Sequence, residues 1–113
     1  MALPHAAPAQ SIDVAPLGAA LTTTPSSALF KSEGLEVMRI VLPKGKSLPP
    51  HKVDGEITLQ CLEGELELMV ERDGTEQRHA LRAGQLCYLE GGVVHAVTGV
   101  VDASALVTIV LKR

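Results

Sequence analysis

Large aromatic residues are almost missing from this chain of 113 residues: Phe30 and Tyr88 are its only two, and there is no Trp. Positive charge is also scarce and scattered, since 10 Lys and Arg stand against 13 Asp and Glu, for a net charge of −3. A nucleic-acid surface needs a basic stripe, often with rings on which bases stack. The composition therefore predicts no nucleic-acid partner.

Long hydrophobic runs and cysteine-rich patterns are lacking too. No apolar run approaches the roughly 20 residues of a membrane span, and the first residues lack a basic start followed by an apolar stretch. Cys61 and Cys87 are the only two cysteines, and they show neither zinc-finger spacing nor the framework of a secreted disulfide domain. We expect a cytoplasmic protein with no membrane partner and with both thiols reduced.

The start of the chain differs in composition from the rest. Residues 1–27 are rich in Ala, Pro, Ser and Thr and show no sustained period, which predicts a partly ordered N-terminal arm. We expect this arm to lie across a sheet edge or a neighbouring subunit, where it would protect an edge strand. Residues 28–113 are expected to form one domain, because a chain of this length has room for a single core.

From residue 28 onward, short apolar segments alternate with turn signals, and no segment shows a 3.6-residue period. Two segments carry the clearest inward faces, namely Met38, Ile40 and Leu42 in 35–43 and Ile57, Leu59 and Cys61 in 56–64. The last segment, SALVTIVLKR, is apolar on both faces, as expected of a strand covered on two sides. The pattern predicts an all-β domain, an antiparallel sandwich or jelly roll that forms a homodimer.

Two histidines stand in glycine-marked segments of similar design. In the first segment Gly45 is followed after five residues by His51, and "LEGE" ends it at Gly64. In the second segment, "GQLCYLEGGVVHAVTG", the spaced residues are Gly84, Gly92 and His95. The pair of segments resembles the two sequence motifs of the cupin superfamily. That resemblance covers residues 35 to 111 and implies a cupin-type jelly-roll β-barrel, also called a double-stranded β-helix.

The resemblance is incomplete at four positions. Val53 stands where the first cupin motif has a second histidine, and Ile57 stands where it has a glutamate. In the second motif, Glu90 replaces a proline and Gly99 replaces an asparagine. The metal-binding part of the motifs is therefore degenerate, whereas the glycines that shape the turns are kept.

The candidate metal ligands are His51 and His95. In metal-bearing cupins three histidines and a glutamate converge inside the barrel, a donor set suited to one divalent transition metal ion. Two protein ligands seldom hold such an ion, so a third is needed, and Glu56 is the candidate. Alternation points Glu56 outward if Ile57 faces the core, unless a bulge re-aims it. With the opposite parity, Glu56 would line the cavity together with Gln60.

A cavity around the two histidines is expected with or without a metal. Its predicted lining comprises Leu59, Cys61 and Cys87 from inner strands, with Tyr88 and Gln60 as further lining residues. Neither cysteine has an evident cationic neighbour that would make it a nucleophile. A chamber with apolar walls and a few polar groups is typical of a small-molecule site.

Three functions are compatible with these residues. The first is a small cupin that binds a small-molecule ligand in its barrel as a sensor, store or carrier. The second is a metal-dependent enzyme, such as a dioxygenase, isomerase, decarboxylase or lyase acting on a small polar substrate. The third is a structural dimer whose pocket is filled by its own side chains. The fold does not decide among them, because one fold supports many activities.

Overall fold

The computed structural model of the protein describes residues 5–111. They form one short 3₁₀ helix, Gly18–Thr23, and nine strands. The strands are β1 (Ser27–Lys31), β2 (Leu35–Leu42), β3 (Ser47–His51), β4 (Ile57–Glu63), β5 (Glu65–Arg72), β6 (Thr75–Arg82), β7 (Leu86–Leu89), β8 (Val94–Gly99) and β9 (Ala103–Val110). Within these described residues, no helix is long and apolar enough to cross a membrane.

Two antiparallel sheets pack face to face. One has the strand order β1-β2-β9-β4-β7 and the other the order β3-β8-β5-β6, so the chain passes repeatedly from one sheet to the other. The inward side chains of both sheets form a single hydrophobic core, in which Ile57, Leu59 and Cys61 are all buried. This arrangement confirms the predicted all-β jelly roll. It also shows which face of β4 points inward, namely the face that carries Ile57.

Strand β3 contains two consecutive prolines, a feature that usually disfavours a strand. It lies at the edge of its sheet and pairs only with β8, and its register shifts between Leu48 and His51. Proline is tolerated at an edge because its missing N–H is not needed on the open side. The segment around His51 is therefore part of the barrel wall and not only a turn.

The arm lies on the outer face of the five-stranded sheet. The Ala6 N–H donates to the Leu29 carbonyl at 2.8 Å, and the Val41 N–H donates to Ser26 Oγ at 2.8 Å. Val37 and Val41, which point outward from β2, are buried. The first four residues of the predicted arm and the last two of the predicted barrel domain lie outside the described residues.

A largely buried ion pair fastens the arm to the sheet. Arg39 Nη2 donates to Glu63 Oε2 at 3.2 Å and to the carbonyl of Ala15, in the arm, at 2.7 Å. The Glu63 carboxylate also accepts hydrogen bonds from the backbone N–H of Leu17 at 2.9 Å and from the Ser104 hydroxyl. Charge-assisted hydrogen bonds of this kind are among the stronger ones in proteins.

Candidate functional site

The pairing of β3 with β8 brings the two histidines of the motifs together. His51 and His95 lie opposite each other in the register of this pair. Their ring centroids are 4.4 Å apart, and the ring planes are inclined by 55°. Side chains directly opposite on neighbouring antiparallel strands point to the same face of the sheet. Residues distant in sequence thus form one polar feature on the inner wall.

Both imidazoles are oriented by the same kind of backbone contact. His51 Nδ1 lies 3.0 Å from the Pro49 carbonyl oxygen, and His95 Nδ1 lies 3.0 Å from the Val93 carbonyl oxygen. Because a carbonyl oxygen only accepts, each Nδ1 carries the proton and donates it. In the neutral ring, the remaining nitrogen, Nε2, is then a hydrogen-bond acceptor. The site therefore offers two acceptor nitrogens side by side.

The two rings differ in their exposure to solvent. His51 is exposed, whereas His95 is only 5% exposed. Burial lowers the pKa of His95 from its ordinary value of 6.5, the hydrogen bond to the Val93 carbonyl partly offsets this, and the charge of the neighbouring His51 lowers the pKa further. His95 is therefore neutral at pH 7, and its Nε2 carries a free lone pair.

A cavity of about 330 Å³ lies beside the histidines, between the two sheets. Besides the histidines and Ser26, its walls are apolar, and they comprise Met38, Ile40, Leu48, Pro49, Val53, Ile57, Leu59, Leu89, Val97, Val107 and Ile109. Pockets of this volume, apolar with a few convergent polar groups, are typical of sites for small organic molecules. Exposed His51 lies at the mouth, and buried His95 lies farther inside.

The two motif positions that have lost their ligand residues also face this cavity. Val53 and Ile57 are both among its lining residues, together with His51 and His95. All four positions of the cupin ligand set thus converge on one space, but two of them carry aliphatic side chains. These positions therefore form part of an apolar wall with two imidazoles in it.

These residues do not fit a tightly held divalent ion. Within residues 5–111 no group of three or more His, Cys, Asp or Glu side chains is arranged to hold a metal. Glu56, the candidate third ligand, is exposed on the outer face, where its proximity raises the pKa of the Tyr88 hydroxyl. Two imidazoles without a third protein ligand are a poor site for such an ion. Alternation along β4, with no bulge at its start, is the reason Glu56 points away.

The structure changes most of the predicted lining. Leu59 lines the cavity, but Gln60 and Tyr88 belong to the outer face of the five-stranded sheet, where Tyr88 is 57% exposed. Cys61 points inward yet lies away from the cavity, and its thiol donates to the Glu63 carbonyl at 3.3 Å. Cys87 faces a different cleft. These four placements correct the expectation that the residues would surround the histidines.

That second cleft, of about 410 Å³, lies along the open edge of the sandwich between β6 and β7. Cys87 and His79 line it, and His79 is exposed. Burial raises the pKa of the Cys87 thiol, and burial also raises the pKa of Cys61. Neither thiol is therefore activated as a thiolate nucleophile at neutral pH.

Several residues that shape the cavity had no signal in the sequence. Leu48 reaches it because β3 is a strand, which the two following prolines concealed. Ser26 reaches it from the arm, a segment without any period. Val53 and Ile57 did have a signal, since they occupy ligand positions of the motif, and those positions face the barrel interior.

Comparisons with known proteins agree with this architecture. A family model described as a cupin domain matches residues 38–111. A conserved protein of unknown function from Streptococcus pyogenes has a similar structure, with a TM-score of 0.74 and 19% identity over 100% of this chain and 96% of that chain. An RmlC-like cupin from Desulfovibrio desulfuricans gives a TM-score of 0.67 and 26% identity, covering 75% of this chain and 79% of that chain.

A third similar structure is an enzyme. Oxalate decarboxylase from Bacillus subtilis, described with Mn(II) centres, gives a TM-score of 0.66 and 18% identity over 70% of this chain and 22% of that chain. At this level of identity the likeness shows the fold alone. No curated protein matches the chain in sequence.

Proposed function

The chain belongs to the cupin domain family, and from that premise we propose that it binds a small, largely apolar molecule in the cavity beside His51 and His95. The observation that carries this proposal is the convergence of all four ligand positions on one cavity in which two are aliphatic, Val53 and Ile57. Apolar surface removed from water contributes about 25 cal/mol per Å² to binding. An apolar guest therefore fits these walls better than a hydrated ion does.

Filling the cavity tests this function. Val107 is partly buried and lines the cavity, whereas Val101 is 46% exposed at a turn. We expect naphthalene, followed by its fluorescence or by NMR, to bind the wild-type protein and the Val101→Phe control equally. Val107→Phe should weaken binding at least about tenfold, because the added ring occupies the space of the guest. Equal binding by both variants, or no binding to the wild type, would contradict the proposal.

A metal-dependent cupin enzyme is the second candidate function. One observation favours it: each imidazole donates its Nδ1–H to a backbone carbonyl, as metal-binding histidines commonly do. Metal analysis of protein purified without a histidine tag separates the candidates. Stoichiometric metal that is lost in both His51→Ala and His95→Ala would favour the enzyme.

The third function considered, a dimer with a closed pocket, has less support. Leu59 and Leu89 line the cavity and do not fill it, since about 330 Å³ of space remains. We nevertheless propose that the protein is a homodimer. The arm covers the β2 side of the outer sheet face, but on β7 Leu86 is 65% exposed and Tyr88 is 57% exposed. Exposed apolar side chains on an uncovered sheet face are typical of contacts between subunits.

We propose a cytoplasmic location as well. Cys61 and Cys87 are both free thiols, and free thiols persist in reducing compartments. Fractionation of cells that produce the chain checks this, and recovery in an extracytoplasmic fraction would contradict it.

A further inference from the structure

The two imidazoles of the cavity present the same kind of polar group. The Nδ1–H groups of His51 and His95 are already engaged by backbone carbonyls, so each ring presents Nε2 as an acceptor. Ser26 Oγ, which also lines the cavity, accepts the Val41 N–H and keeps its own O–H as a donor. No Lys, Arg, Asp or Glu is among the residues that line this cavity. The cavity thus offers unused acceptors and no carboxylate, ammonium or guanidinium group.

These groups decide which ligands are unfavourable. A carboxylate or phosphate would enter an apolar chamber without a cationic partner, and the neutral His95 nitrogen would repel it with its lone pair. An ammonium group would find acceptors but no carboxylate to balance its charge. Removing an unpaired charge from water costs several kcal/mol. Charged ligands of either sign are therefore excluded more strongly than neutral ones.

A plain hydrocarbon is not the best fit either. It would cover the Nε2 of His95, which has no hydrogen-bond partner among the described residues, and so would remove that nitrogen from any remaining water. A covered acceptor without a donor is a penalty that a ligand with an N–H or O–H avoids.

We propose, on the basis of the binding function above, that this site selects a neutral molecule with an apolar body that ends in a hydrogen-bond donor. A group with two N–H bonds, such as an aromatic amine or a primary amide, matches it best. The reason is the pair of rings 4.4 Å apart, which presents two acceptors at one end of the cavity. One N–H reaches His95 inside and the other reaches His51 at the mouth. A hydroxyl group supplies a donor to only one of them.

Four naphthalene derivatives of similar size test the selection at pH 8. They are 1-naphthylamine, 1-naphthol, 1-methylnaphthalene and 1-naphthoate, titrated against the full chain by calorimetry or fluorescence. We expect the amine to bind about tenfold more tightly than the methyl compound, the naphthol to lie between them, and the naphthoate to bind most weakly. The order follows from the number of donors and from the charge.

Variants at the two histidines test whether the order of the four affinities depends on the two acceptor nitrogens. His95→Phe keeps an aromatic ring but removes the inner acceptor, so the amine should lose its advantage while the methyl compound still binds. His51→Phe, at the exposed mouth, removes the outer acceptor and provides the same comparison if His95→Phe does not fold. His79→Phe is the matched control, because His79 is exposed and lines the other cleft. It should leave all four affinities unchanged.

The results separate the two proposals. If naphthalene and 1-methylnaphthalene bind but the amine has no advantage, or if 1-naphthoate binds most tightly, the donor selection is overturned and the binding function stands. If none of the neutral compounds binds, the binding function itself fails. An amine advantage that persists in both ring variants would show that other groups recognise the donor, and it would overturn the role given to the imidazoles.

Discussion

Single side chains distinguish the ligand positions of this barrel from the full cupin ligand set. The four positions that carry metal ligands in the cupin motifs all face the same cavity here. At two of them, however, the side chains are Val53 and Ile57, which have no donor atoms. The difference lies in side-chain chemistry alone, because the backbone already brings the positions together. Motif comparison anticipated the losses. It did not anticipate that the aliphatic replacements would form a continuous wall with Leu59.

Restoring the two lost ligands should restore a metal site. In the double variant Val53→His, Ile57→Glu, three imidazoles and a carboxylate would surround the cavity, a set suited to a divalent transition metal. We expect stoichiometric nickel or zinc by elemental analysis and a melting temperature that rises when the metal is added.

Single variants serve as controls for this restoration. Val53→His alone should bind metal more weakly than the double variant. Ile57→Glu alone should be destabilised, since Ile57 is only 5% exposed and the carboxylate would have no partner. A folded double variant without metal affinity would show that the four positions do not converge as described.

The buried imidazole should make stability depend on pH. The pKa of His95 is lowered in the folded state, so between 6.5 and that lowered value the unfolded chain takes up a proton that the folded chain does not. Its contribution to the free energy of unfolding is therefore complete above pH 6.5 and decreases as the pH falls through this window. Urea unfolding at a series of pH values measures it.

The variant His95→Phe isolates that contribution. Phe has no proton to take up, so the difference in unfolding free energy between wild type and variant should change across the window below pH 6.5 and be constant above it. His79→Phe should show the same pH dependence of the unfolding free energy as the wild type. A pH-independent difference for His95→Phe would contradict the burial of a neutral ring.

Strands and turns determine where these side chains lie. Gly64 and Gly74 both adopt a φ of +75°, yet only Gly64 is crowded: a Cβ there would lie 2.1 Å from the Asp102 carbonyl oxygen, and one on Gly74 would meet nothing within 4 Å. The hairpin turn at Gly74 follows from local chemistry. The need for glycine at position 64 follows from a neighbouring backbone distant in sequence.

The two glycines form a matched pair for mutation. Gly74→Ala should cost about 1–2 kcal/mol, the strain of a left-handed alanine. Gly64→Ala should cost more, about 3 kcal/mol or above, because the backbone near Asp102 must also move. Urea unfolding of both variants measures the difference. Equal costs would mean that the approach of the two backbones is looser than described.

The arm is an element whose position depends on one carboxylate. Burial alone would raise the pKa of the Glu63 carboxyl. The pKa is nevertheless held below its ordinary value of 4.5 by hydrogen bonds from Leu17, Ser104 and Gly18 and by the charge of Arg39. We expect Glu63→Gln to lower the unfolding free energy by about 1–3 kcal/mol at pH 7, because charge-assisted bonds to the arm are weakened. Below pH 4.5 the wild type loses this contribution as the pH falls through the lowered pKa, so the difference from the variant should shrink.

A neighbouring surface pair provides the control. Glu65 contacts Arg82 at 3.3 Å, and the Arg82 side chain is 69% exposed. Exposed pairs contribute little, so Glu65→Gln should change the unfolding free energy by less than about 1 kcal/mol. Similar effects of both substitutions would mean that the arm does not depend on Glu63.

For the whole molecule, the outer face of the five-stranded sheet is covered unequally. The arm covers outward-pointing residues of β2, whereas Leu86 and Tyr88 on β7 remain exposed. We expect the wild-type protein to be a dimer by light scattering, and Leu86→Glu with Tyr88→Glu to be a monomer because charges would enter the contact. Val101→Glu, at an exposed turn, should leave the dimer intact. A monomeric wild type would contradict the homodimer.

Alternation of apolar residues and the chemistry of turns were enough to predict an all-β domain, because these patterns depend on neighbours within a few positions. They left open the parity of β4 and the choice between a sandwich and a jelly roll, and the resemblance to the cupin motifs implied the jelly roll. The two motifs were enough to single out His51 and His95. Only the folded chain could show that β3 is a strand, that Cys61, Cys87 and Tyr88 lie away from the cavity, and that the arm is held by Glu63. Those features depend on contacts between segments far apart in sequence, where the packing of one sheet against another decides which side chains meet.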